Sequence, residues 1–99
     1  MIDPHVHLRD WEQRYKETLY HGLRTAVRAG ISGVFDMPNT APPVISRKKL
    51  EIRLADAAEA QKKVALETGN SIFYGLYGGL TADAEQIREM VQAHRELFP

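Results

Sequence analysis

Strand-like and helix-like stretches alternate along the whole chain, and that alternation constrains the fold more than any single residue. Residues 1–7 read as a short buried strand followed by a polar loop. Residues 15–29 read as a helix, with Leu19, Leu23, Ala26 and Val27 at the 3.6-residue period and Gly30 placed to end it. Residues 33–37 form a short apolar strand. The following Pro38-Asn39-Thr40-Ala41-Pro42-Pro43 must be a loop, because its prolines cannot donate to a ladder and each restricts the residue before it. Ser46 is placed to cap a long helix that runs to Thr68, with Leu50, Leu54, Ala57, Ala58 and Val64 inward. Gly69 and Asn70 stop it. Residues 71–77 read as a third strand, broken by Gly78-Gly79. Thr81 is expected to cap a last helix containing Ile87, Met90, Val91, His94 and Leu97. The order β-α-β-α-β-α implies an α/β fold: a parallel sheet with helical crossovers. Three such strands would leave two edges free and one face of the sheet wet.

Composition removes several classes of function. With 99 residues the chain suits one small domain. Lys+Arg and Asp+Glu balance at 13 each, so no basic surplus draws it to nucleic acid or an anionic membrane. The run Arg47-Lys48-Lys49 reads as a solvated helix start. With no cysteine, disulfides and thiolate metal sites are excluded. No apolar run approaches the roughly 18 residues of a membrane span, and no signal peptide is visible, so a cytoplasmic location is expected.

The chemistry concentrates in two short blocks. In Ile2-Asp3-Pro4-His5-Val6-His7-Leu8-Arg9-Asp10, alternation along an extended segment points His5 and His7 the same way. Two imidazoles at a strand end can share one metal ion, with zinc the usual choice for nitrogen ligands, although a bare His-x-His also arises from packed or solvated histidines. Asp3 alternates onto that face and can orient a ligating imidazole or merely cap the strand. Arg9 can clamp a carboxylate bidentately or stand as a solvated loop residue. Asn39, just past the second strand, can complete such a carboxylate site or act as a turn residue bonding its own backbone. His21 and His94 read as surface or boundary residues. Trp11, Tyr15 and Tyr20 read as core or rim packing, and Gly78-Gly79 as a turn.

The block from Ile2 to Asp10, followed by Gly33-Val34-Phe35-Asp36-Met37-Pro38-Asn39-Thr40, resembles the dihydroorotases of the amidohydrolase superfamily. Related cyclic amidases such as hydantoinases also carry a His-x-His, but Arg9 and the Met-Pro-Asn-Thr block look more like dihydroorotase. The resemblance implies a (β/α)₈ barrel, zinc at its C-terminal mouth, and the reversible cyclisation of N-carbamoyl-L-aspartate to dihydroorotate in pyrimidine synthesis. By the matched positions His5 and His7 would be metal ligands, and Arg9 and Asn39 would bind the substrate carboxylate. One departure is Trp11-Glu12-Gln13, where many members have Pro-Gly. The other is length. A barrel typically takes about 250 residues, so residues 1–99 would be a single truncated segment, three strand–helix units of eight. The family's bridging lysine, later histidines and catalytic aspartate have no counterpart here. The segment is therefore expected to bind zinc weakly and to be inactive alone, with no catalytic residue of its own. A homo-oligomer or a partner chain would cover the bare sheet. The alternatives are a non-catalytic interaction or split-barrel module, or a segment of another cyclic amidase.

Overall fold

A computed structural model describes residues 1–98. Its elements are β1 (Ile2–Val6), α1 (Leu19–Arg28), β2 (Gly33–Asp36), α2 (Arg47–Thr68), β3 (Phe73–Leu76) and α3 (Ala84–Leu97). The three strands make one parallel sheet in the order β1-β2-β3, the α/β alternation expected of the sequence. Strands β1 and β3 are its edges.

Alternation along the strands separates the two faces. Val34, Asp36, Tyr74 and Leu76 point one way and are buried. Leu19 and Leu23 of α1, Leu50, Ala57 and Val64 of α2, and Met90 and Ala93 of α3 join Val34 and Leu76 in a single core cluster. The three helices therefore cover this face. The opposite face carries Ile2, Gly33, Phe35, Phe73, Gly75 and Tyr77. Ile2, Phe73 and Tyr77 remain 56%, 55% and 40% exposed, so this face is apolar and bare. Phe35 stacks obliquely on Phe73 and Tyr77, with ring centroids 5.6 and 5.8 Å apart. A Cβ at Gly75 would lie 2.4 Å from the Phe35 ring, so the ring can lie over β3 only because residue 75 has no side chain.

Local chemistry sets the helix ends. The Ser46 side chain accepts the Lys49 N–H, and Gly69 closes α2 in the left-handed region at φ 76°. Helix α1 starts at Leu19, four residues later than the apolar spacing predicts. Thr18 caps it by accepting the His21 N–H, while Asp10 Oδ2 accepts the Leu19 N–H at 2.8 Å. Residues 11–16 are turns instead. Helix α3 is capped by Asp83, not by Thr81. The Thr81 hydroxyl accepts the Asp83 N–H at 3.2 Å, one step outside the helix. Within α2, Ala58 is exposed and the inward stripe runs Leu50, Arg53, Ala57, Ala60, Val64. No helix among the described residues is long and apolar enough to cross a membrane.

Candidate functional site

His5 and His7 converge at the C-terminal end of β1. Strand β1 carries one residue more than β2 between the pairs Asp3↔Val34 and Val6↔Asp36. This irregularity takes Asp3 off the histidine face, contrary to simple alternation, and leaves His5 and His7 flanking Val6 on the side away from the helices. Their Nε2 atoms stand 3.2 Å apart and both residues are exposed. A tetrahedral zinc with Zn–N bonds of about 2.05 Å separates two nitrogen ligands by roughly 3.3 Å. The pair therefore has the spacing of two ligands to one such ion.

Asn39 joins them from the loop after β2. Its Oδ1 lies 2.8 Å from His7 Nδ1, so the ring donates there and Nε2 of the neutral ring is the acceptor in its 3.2 Å contact with His5 Nε2. Asp3, the other orienting candidate, spends its carboxylate on the His5 backbone N–H at 3.1 Å. The Arg9 guanidinium leans on Gln13 Oε1 at 3.5 Å and makes no hydrogen bond to the histidines or Asn39 among the described residues. The structure thus brings together three of the four residues singled out in the sequence. Among the described residues no cluster of three or more His, Cys, Asp or Glu donors exists. A catalytic zinc normally takes three protein ligands, and two imidazoles converge here.

A second polar cluster, not read from the sequence, lies just behind this edge. Asp36 and Arg53 are fully buried. Asp36 Oδ2 accepts from Arg53 Nε at 3.1 Å, from Arg53 Nη2 at 2.7 Å and from the Tyr74 hydroxyl at 2.6 Å. Asp36 Oδ1 accepts the Leu8 N–H at 3.0 Å. Arg53 Nη1 donates to the Arg9 carbonyl at 2.9 Å, and Nη2 also reaches the Leu8 carbonyl. Burial, and next the Asp36 carboxylate, push the Tyr74 phenol well above its ordinary pKa, so it stays a donor. One signal in the sequence hints at the cluster, an aspartate closing an apolar strand; the inward place of Arg53 in α2 is seen only in the structure.

His21 bonds Glu17 on the surface. His94 Nε2 lies 2.7 Å from the Leu76 carbonyl and its ring stacks on Phe98. Trp11 packs at the rim, where its indole N–H donates to Asp56 at 2.8 Å and its ring covers the Arg53 guanidinium at 5.1 Å. Tyr20 bonds Glu67, whereas Tyr15 is 77% exposed and packs into no core.

With a bulged strand carrying two convergent imidazoles and an asparagine locking one of them, the comparison with known proteins becomes specific. Among the curated proteins this chain resembles are several named dihydroorotase. That of Pyrococcus furiosus is 55% identical over 53 residues, 54% of this chain and 13% of that protein. Those of Pyrobaculum aerophilum and Methanosarcina acetivorans are each 37% identical over 101 residues, covering 100% and 98% of this chain but 23% and 20% of those proteins. The matches therefore span between about an eighth and a quarter of the length of these dihydroorotases. No family model matches it.

Proposed function

We propose that this chain is the opening segment of a zinc-dependent dihydroorotase and carries part of its site. The carrying observation is the 3.2 Å approach of the His5 and His7 Nε2 atoms, with Asn39 fixing the His7 tautomer. His5 and His7 would hold the metal, and zinc bound there would supply Lewis-acid polarisation of the amide carbonyl and a nucleophile at neutral pH. The substrate in this reading is dihydroorotate or N-carbamoyl-L-aspartate. Arg9, two residues beyond the second ligand, offers a guanidinium to the substrate carboxylate. Asn39 has a free amide group to add to that contact while its oxygen holds His7.

The bare face with Ile2, Phe35, Phe73 and Tyr77 fits the same reading: the further strand–helix units of a barrel would cover it. Among the described residues two imidazoles converge and no third His, Asp or Glu joins them, so the chain alone should bind zinc weakly and turn nothing over. The test is a zinc titration of the purified chain followed by a dihydroorotate hydrolysis assay. Weak binding that disappears in His5→Ala and His7→Ala, with no turnover, is the expected result. No binding by the unaltered chain would overturn the metal assignment, and turnover by the chain alone would overturn its inactivity.

A further inference from the structure

Leu8, the residue after His7, has neither of its backbone polar groups in the sheet. Its N–H goes to Asp36 on β2 and its carbonyl to Arg53 on α2. The next carbonyl, that of Arg9, goes to the same guanidinium at 2.9 Å. Successive carbonyls of an extended strand point in opposite directions. One group can hold both only where the chain turns, and here it turns directly after His7. The guanidinium is itself held. Its Nε and Nη2 are fixed on Asp36, whose Oδ2 is braced by Tyr74, and one of its flat faces is closed by Trp11.

A buried ion pair is by itself a weak stabiliser, often replaceable by apolar side chains. What apolar side chains cannot replace is the fork that reaches two consecutive carbonyls. We propose that Arg53, locked by Asp36 and Tyr74, is the positioning residue of the metal-binding edge: by clamping Leu8 and Arg9 it sets where the His7 imidazole stands. The clamp also fixes the point from which the Arg9 side chain projects. The proposal deepens the dihydroorotase reading and rests on it for the identity of the ion, but not for the placement of His7.

Arg53→Lys keeps a positive charge beside Asp36 and removes the fork. The zinc affinity of the chain and the NMR signal of the His7 Nδ1 proton, bonded to Asn39, are read in both proteins at a temperature where their far-ultraviolet circular dichroism coincides. The expected result is a roughly tenfold or larger loss of zinc affinity, the scale of outer-shell losses at metal sites, together with loss of the proton signal. An unaltered affinity and an unaltered signal in folded Arg53→Lys would overturn the proposal. If the unaltered chain binds no zinc, the metal reading falls alone and the proton signal decides: its loss in the variant supports the clamp, its retention overturns it. If Arg53→Lys does not fold, Tyr74→Phe takes its place. It leaves the ion pair and removes only the brace, and should give a smaller loss in both readouts; no change in either would overturn the proposal.

Discussion

Two polar clusters meet at one edge of the sheet and are built in opposite ways. His5, His7 and Asn39 are exposed, and the histidine Nε2 atoms face each other with no carboxylate or backbone group between them. Asp36, Arg53 and Tyr74 are buried, and both carboxylate oxygens and all three guanidinium nitrogens are engaged. A group meant to bind something else must keep lone pairs unspent, and solvent is where that costs least. A group meant to hold the chain must spend every donor and acceptor, because an unpaired one in the interior costs about 1–3 kcal/mol. The contrast separates side chains left open to solvent from side chains that fix geometry, although the two sets are joined through Leu8.

The sharpest way to break this contrast is to remove one member of each cluster and compare stability. Asp36→Ala strands a buried guanidinium and should cost about 3–5 kcal/mol, a large part of the stability of a domain this small. His7→Ala should leave the urea midpoint essentially unchanged. Similar midpoints for the two variants would erase the distinction. Next in size, the same His7→Ala protein, and His5→Ala with it, should lose the thermal stabilisation that added zinc gives the unaltered chain, because one imidazole alone holds the ion poorly. Asn39→Ala should keep both ligands but free the His7 ring, weakening zinc binding about ten- to hundredfold in a calorimetric titration. An unchanged affinity would make Asn39 a turn residue only.

The smallest effect sharpens the comparison from the buried side. Tyr74→Phe should cost about 1 kcal/mol at neutral pH, measured by urea unfolding. The folded chain holds the Tyr74 proton above the ordinary phenol pKa. Its contribution is thus fully present below about pH 10 and is lost as the pH rises and the unfolded chain ionises first. The unaltered protein should therefore lose stability more steeply above pH 10 than Tyr74→Phe. Tyr20, raised chiefly by its bond to Glu67, adds a slope common to both. Parallel alkaline curves would show that Tyr74 is not held neutral by its surroundings.

What the sequence made legible follows from the range of each interaction. Ser46 and Gly69 are visible because a cap or a left-handed turn is settled within three or four residues. The start of α1 is not, because Asp10 reaches across nine positions to the Leu19 N–H and thereby lets residues 11–16 turn. Thr81 and Asp83 are both capping residue types, and only the backbone path selects the second. Within α2 the apolar spacing points to Leu54 and Ala58. Arg53 takes the inward place because Asp36 waits there, and hydrophobic periodicity cannot see a charge answered by another charge. At the site, the convergence of His5 and His7 was legible from their spacing. The bulge that turns Asp3 away from them was not, nor was the bond that makes Asn39 a partner of His7, 32 positions earlier.

Trp11 has a consequence for anyone working with this protein. It is the chain's one tryptophan, and its indole lies against the guanidinium of Arg53. Indole emission responds to a cation at its face and to the polarity around it. The protein thus carries a built-in optical reporter at the lid of its buried ion pair, close to the turn that follows His7. Loosening of that pair, by substitution or denaturant, can be followed by intrinsic fluorescence without a label.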